Sequence, residues 1–144
     1  MNSLYSFDDT SVTFSHAAVG QYVASGKGIG SLGVSMATDR SVQDVAADGS
    51  VMTSKIKGRN GTLSVSAQQT SDLHKWLLKL YNYLETAPTN QWAGITIVVR
   101  SPSMQDKVTA TGVAFQKIPD RQWQAQGQQL MWTLLAADIQ QDVA

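Results

Sequence analysis

The 144-residue chain has no cysteine, which excludes disulfides and thiolate metal sites. Charge is scarce as well. Asp, Glu, Lys and Arg make up 15% of the sequence, against about 25% in ordinary soluble domains. Eleven basic residues balance eleven acidic ones, so nothing points to a nucleic-acid-binding or anionic-membrane surface. No apolar run approaches the ~20 residues needed to cross a bilayer, and no membrane insertion is expected. "MNSLYSFDDT" lacks the basic start and apolar run of a signal peptide. The chain is therefore expected to be made and folded in cytosol. No repeat or linker divides it, so one domain over 1–144 is expected.

Catalytic patterns are missing too. "GKGIGSLG", residues 26–33, is not a phosphate-binding Gly-x-x-x-x-Gly-Lys-Ser/Thr loop, and no helix follows it. The histidines, His16 and His74, have neither cysteine nor an acidic cluster nearby, so neither reads as a metal ligand. No Gly-x-Ser-x-Gly turn occurs. Asp8-Asp9 is the one paired carboxylate and reads as solvated. No enzyme activity and no cofactor are expected.

Ser, Thr, Gln and Ala fill the place of the missing charges. A free monomer of this composition is poorly protected against association, so much of its surface is expected to meet copies of itself. Alternating apolar residues mark strands in "SVTFS", "GSLGVSMA", "GITIVVR", "KVTATGVAFQKI" and "QQLMWTLLAADI". The last is apolar on both faces and is expected to lie centrally, covered twice. The other strands carry small neutral residues on their polar faces, which suits a sheet lining a confined space. Leu73, Trp76, Leu77, Leu80 and Leu84 form one helical stripe. A helix over 71–86 follows, capped by Thr70 or Ser71 and stopped by Pro88. Lys75, Lys79 and Asn82 fall off the stripe and should face outward. Residues 15–31 and 118–129 read as loops. The fold class is mainly β: a β-sandwich or split β-barrel with one flanking α-helix.

Residues 38–60 are the puzzle. "ADGS", Ala47 to Ser50, is an Asp-Gly turn joining "SVQDVA" to "VMTSKIKG" in a long protruding hairpin arm. Val42, Val45, Val51, Met52 and Ile56 are too apolar for a free loop. Asp39, Asp44 and Asp48 lie on one limb, and Lys55, Lys57 and Arg59 on the other. This charge division suggests docking onto a like neighbour.

The order of features resembles phage tail tube proteins, most closely the small tube proteins of contractile-tailed phages. The likeness runs from about Tyr5 to Asp138. It rests on the "ADGS" hairpin, the helix "TSDLHKWLLKLYN" and the closing "VAFQKIPDRQWQAQGQQLMWTLLAAD". The resemblance implies a structural virion protein whose hexameric rings stack into a hollow tube, a design shared with type VI secretion and bacteriocin tubes. It implies an arm (Val42, Val45, Asp48, Val51, Met52, Lys55, Ile56, Lys57, Arg59) that reaches neighbouring copies. It also implies tail sheath, tape-measure and baseplate or terminator partners, assembly in the host bacterial cytoplasm, and DNA passing through the lumen without specific binding. Ser31, Ser35, Ser64, Ser66, Thr109 and Thr111 are the candidate lumen-facing residues. Within the same class, a baseplate-proximal or terminator ring or a secretion-system tube is the alternative. A small ligand-binding β-sandwich using Trp92, Trp123 and Trp132 is the alternative of another class.

Overall fold

The computed structural model describes residues 10–25 and 29–143. Asp8-Asp9 and the Gly26–Lys27–Gly28 part of the glycine-rich stretch lie outside the described residues. Nine strands and one α-helix follow in order: β1 (Ser11–His16), β2 (Gly20–Ala24), β3 (Ile29–Met36), β4 (Ser41–Val45), β5 (Val51–Lys55), β6 (Gly61–Gln68), α1 (Asp72–Thr86), β7 (Ile95–Ser101), β8 (Asp106–Lys117) and β9 (Gln129–Val143). Seven strands form one antiparallel sheet in the order β2-β1-β7-β8-β9-β6-β3, while β4 and β5 pair only with each other. The sheet curls into a half-barrel, and α1 fills its hollow side. The split-barrel reading holds, with one curled sheet in place of two stacked ones.

Residues 15–31, read as a loop, contain β2. Its Tyr22 alternates inward with Ala24 and packs on Trp76 at 5.9 Å between ring centroids. One aromatic on a glycine-rich segment thus secures an extra edge strand.

The helix starts where Ser71 Oγ accepts the His74 backbone N–H at 3.2 Å. It ends at Ala87, which is extended as the residue before Pro88. Its Leu73, Leu77, Leu80 and Leu84 are buried against Phe14, Val65, Ile97, Val113 and Trp132. Burial of each leucine removes apolar surface from water worth roughly 2 kcal/mol. Trp76, the fifth member of the stripe, is half-buried at the Phe14–Tyr22 side. Trp132 sits fully buried beneath the helix, donating its indole N–H to His74 Nδ1 at 3.3 Å.

β8 and β9 are long enough to bend. Thr111 and Gly112 together oppose the single residue Thr96 of β7, a β-bulge with Gly112 at φ +62°. Beyond it, β9 continues to Val143, so Asp138 lies inside the strand and not at its end. β9 is central as expected, but its outer face is bare. Met131 is 50% and Leu135 45% exposed. The expected second cover over this strand is absent among the described residues.

Candidate assembly interface

The arm is built to stand away from the sheet. At its tip Ala46 N–H donates to Ser50 O (2.8 Å) and Gly49 N–H to Ala46 O (3.0 Å), with Gly49 at φ +89°. This is a turn followed by a left-handed glycine, a geometry that matches strand twist. Asp48 accepts from the Ser50 backbone N–H at 3.0 Å and from Ser50 Oγ at 2.7 Å. The Ser50 hydroxyl first, then its N–H, hold the Asp48 carboxyl below its ordinary range. Asp48, assigned to the inter-subunit set from the sequence, already has a task in its own turn.

The root is braced. Ala37 N–H donates to Asn60 O at 3.0 Å, and Thr38 Oγ1 donates to Asn60 Oδ1 at 2.6 Å. Arg40 reaches the carbonyls of Lys57 and Gly58. Ile56 N–H donates to Arg40 O at 2.9 Å, and the Ile56 side chain is half-buried there. Arg59 binds Asp138 of β9 through Nε at 2.8 Å and Nη2 at 3.2 Å, while its carbonyl accepts Ile139 N–H at 2.8 Å. Arg59 therefore ties the arm to its own sheet. No sequence pattern announced that pair, because its members are 79 residues apart.

Between root and tip every residue of β4 and β5 is exposed. The register pairs Val42 with Ser54, Asp44 with Met52, and Val45 with Val51. Side chains alternate in a strand, so Val42, Asp44, Met52 and Ser54 share one face. Val45, Val51, Gln43, Thr53, Ser41 and Lys55 share the other. Val42 is 49% exposed, Met52 62%, Val51 54% and Val45 65%. Each face thus carries two bare apolar side chains. The charges separate by face as well as by limb: Asp44 stands on one, Lys55 on the other. Lys57 is exposed below them.

The sheet face turned away from α1 is the second surface. Ser31 pairs with Ser66, Gly33 with Ser64 and Ser35 with Thr62, forming a hydroxyl-rich stretch across β3 and β6. Thr109 and Thr111 lie on the same face of β8, alternating with buried Ala110. Ser31, Ser35 and Thr111 are exposed, and Ser64 and Thr109 are half-buried. Ser66 is buried, its Oγ donating to Gln129 Oε1 at 2.7 Å. It is already covered within the chain, which sequence alternation alone does not reveal. On α1, Lys75, Lys79 and Asn82 are all exposed.

Of Trp92, Trp123 and Trp132, only Trp123 is exposed. Trp92 is half-buried edge-on to Tyr81, and Trp132 is core. Trp123 is 76% exposed with the Arg121 guanidinium 4.8 Å from its ring centroid. His16 is taken up locally: Nδ1 accepts Ala18 N–H at 3.1 Å and Nε2 faces Gln91 O at 3.2 Å.

No curated protein sequence matches the chain significantly. Among solved structures, it resembles a chain of the extracellular contractile injection system PVC sheath–tube complex in its extended state. That match has 8% identity and a TM-score of 0.59, covering 92% of this chain and 88% of that one. A chain of the anti-feeding prophage baseplate, 6-fold symmetrised, matches at 14% identity and TM-score 0.60 over 99% and 98%. A chain of the anti-feeding prophage tube-terminating cap matches at 8% and 0.61 over 100% and 93%. At these identities the likeness is one of fold. The family model described as Bacteriophage PhiTE tail tube protein matches residues 2–144. The chain belongs to that family of phage tail tube proteins, and its role is structural, as a tail component and not as an enzyme.

Proposed function

We propose that six copies of this chain form a ring, that rings stack into the tail tube, and that DNA leaves through its bore without specific binding. The observation that carries this reading is the arm. It is a braced hairpin whose strands, among the described residues, pair only with each other, and it leaves apolar side chains bare on both faces. In a monomer such a ribbon only exposes apolar surface. Between two neighbouring copies both faces are covered. The edges at β2 and β3 support the same reading, since an open strand edge is satisfied when a neighbour supplies the next strand. A head-to-tail contact that does not close gives an open stack. Assembly in the host cytoplasm, a sheath on the α1 side, and tape-measure and baseplate partners complete the proposal.

Negative-stain microscopy of concentrated protein tests it. Long rods are expected, and deleting residues 42–57 should leave folded particles that do not lengthen. Single rings from the intact protein would favour a terminating ring, a reading supported by the similarity of fold to a tube-terminating cap. A monomer at every concentration would overturn both.

A further inference from the structure

Arg100 of β7 stands directly across from Lys107 of β8, with Ser11 of β1 on its other side and Asp142 of β9 beyond Lys107. Like charges opposed on neighbouring strands destabilise a sheet. Among the described residues neither cation has an ion pair within 4.0 Å; the ion pairs formed are Arg59–Asp138 and Lys117–Asp120. Asp142 instead accepts the Val143 N–H at 2.7 Å. Half-buried Val98 lies one step inward on the same face, and the aliphatic stems of Arg100 and Lys107 widen the apolar floor.

The arm offers the complement. Asp44 is an exposed carboxylate with no hydrogen bond or ion pair among the described residues, flanked by exposed Val42 and Met52. It is the one charged residue that β4 and β5 place on that face, with Arg40, bonded to the Lys57 and Gly58 carbonyls, nearer the root. We propose that the Val42–Asp44–Met52 face of one copy docks on the Arg100–Lys107 pair of a second copy beside it, with Asp44 neutralising the opposed cations. This rests on the ring reading above and names the seat for one face of the arm.

The placement is consistent. The arm leaves the sheet where Gly61 opposes Ala136, and the cation pair lies six residues further along β9, opposite Asp142. That is a distance of about 20 Å along the strand, toward the same end of the sheet. Zero net charge fits an assembly in which each copy supplies both signs.

Charge exchange and cross-linking test the contact on the full chain. Asp44→Arg and Arg100→Glu, each folded by circular dichroism, are expected to cut rod or ring yield about tenfold or more, because a buried charge is left facing its like. The double variant Asp44→Arg/Arg100→Glu should recover most of that yield. The chain has no native cysteine, so Asp44→Cys/Lys107→Cys treated with a short bismaleimide should give a ladder of linked subunits. Rods forming at the unmodified level in both single variants, without a ladder, would overturn the docking while leaving the tube reading intact. Loss of DNA binding in Arg100→Glu with assembly unchanged would place the cations in the bore and overturn it equally. If the unmodified chain forms neither rods nor rings, the ring reading fails. The linked ladder alone then supports the contact, and its absence overturns it.

Discussion

Gly112 holds a φ of +62°, and a Cβ built on it would come within 2.8 Å of the Ala137 Cβ on the neighbouring strand. Two independent reasons therefore demand glycine at the bulge where β8 bends. Gly49 in the arm shares only the first: its φ is +89°, but no atom lies within 4 Å of an added Cβ. Gly112→Val is expected to cost about 3 kcal/mol from backbone strain plus overpacking, lowering the denaturant midpoint of the whole chain. Gly49→Ala should leave that midpoint nearly unchanged, since the arm contributes nothing to the core. His74 makes the second residue-level prediction. Burial, and then the nearby Arg121 charge, hold its pKa below the ordinary 6.5. Its Nδ1 accepts from Trp132, and Nε2 has no partner among the described residues. Above pH 6.5 the ring is neutral in both the folded and unfolded states. As pH falls from there toward the lower folded value, the unfolded chain takes up the proton first, and stability declines. His74→Phe leaves the Trp132 N–H unpaired and should cost about 1–3 kcal/mol near neutrality. It should also flatten the decline seen by denaturation between about pH 7 and about pH 5.

At the level of elements, α1 and the long strands were legible because each announces itself by period. The leucines recur at helical spacing and the strands alternate, and both signals are local. What stayed hidden depends on distant residues. β2 exists because Tyr22 finds Trp76, Arg59 is a brace because Asp138 lies opposite it, and Ser66 is covered by Gln129. The arm was legible as a hairpin, and its apolar residues were identified. Its two-faced character follows only from the register, which places Val45 with Val51 on one face and Val42 near Met52 on the other. The outer side of α1 carries a further prediction. Lys75, Lys79 and Asn82 are exposed while Leu73, Leu77, Leu80 and Leu84 are committed to the core. Reversal of both lysines to glutamate should therefore leave folding and rod formation intact, each exposed charge contributing little to stability. Sheath attachment should weaken, as read by co-sedimentation of rods with sheath protein. Loss of rods would make this side a contact between tube subunits instead.

For the whole molecule, the helix closes one side of the half-barrel, and the proposed tube has the opposite face of the sheet line its bore. The face away from α1 is not uniform. Hydroxyl side chains cover β3 and β6, whereas Met131 and Leu135 stand bare on β9. A channel for DNA favours the first kind of surface, since each cation on a phosphate path strengthens binding and makes it salt-dependent. Apolar side chains are better covered by a neighbour. The β3–β6 stretch is therefore the segment of this chain that should meet DNA. Ser35 and Ser64 are better probes of it than Ser66, which is buried and bonded to Gln129. Ser35→Lys combined with Ser64→Lys should permit rods to form, because Ser35 is exposed, Ser64 half-buried, and the residues in register with Ser64 are the small Gly33 of β3 and Thr133 of β9. In the assembled phage, DNA ejection should then slow markedly at low salt and recover as salt is raised, the direction expected of screened phosphate contacts. Ejection kinetics followed by dye release at two ionic strengths provide the measurement. An unchanged rate at low salt, with lysines confirmed in the tube, would mean that the hydroxyl stretch faces away from the channel and that the α1 side lines it.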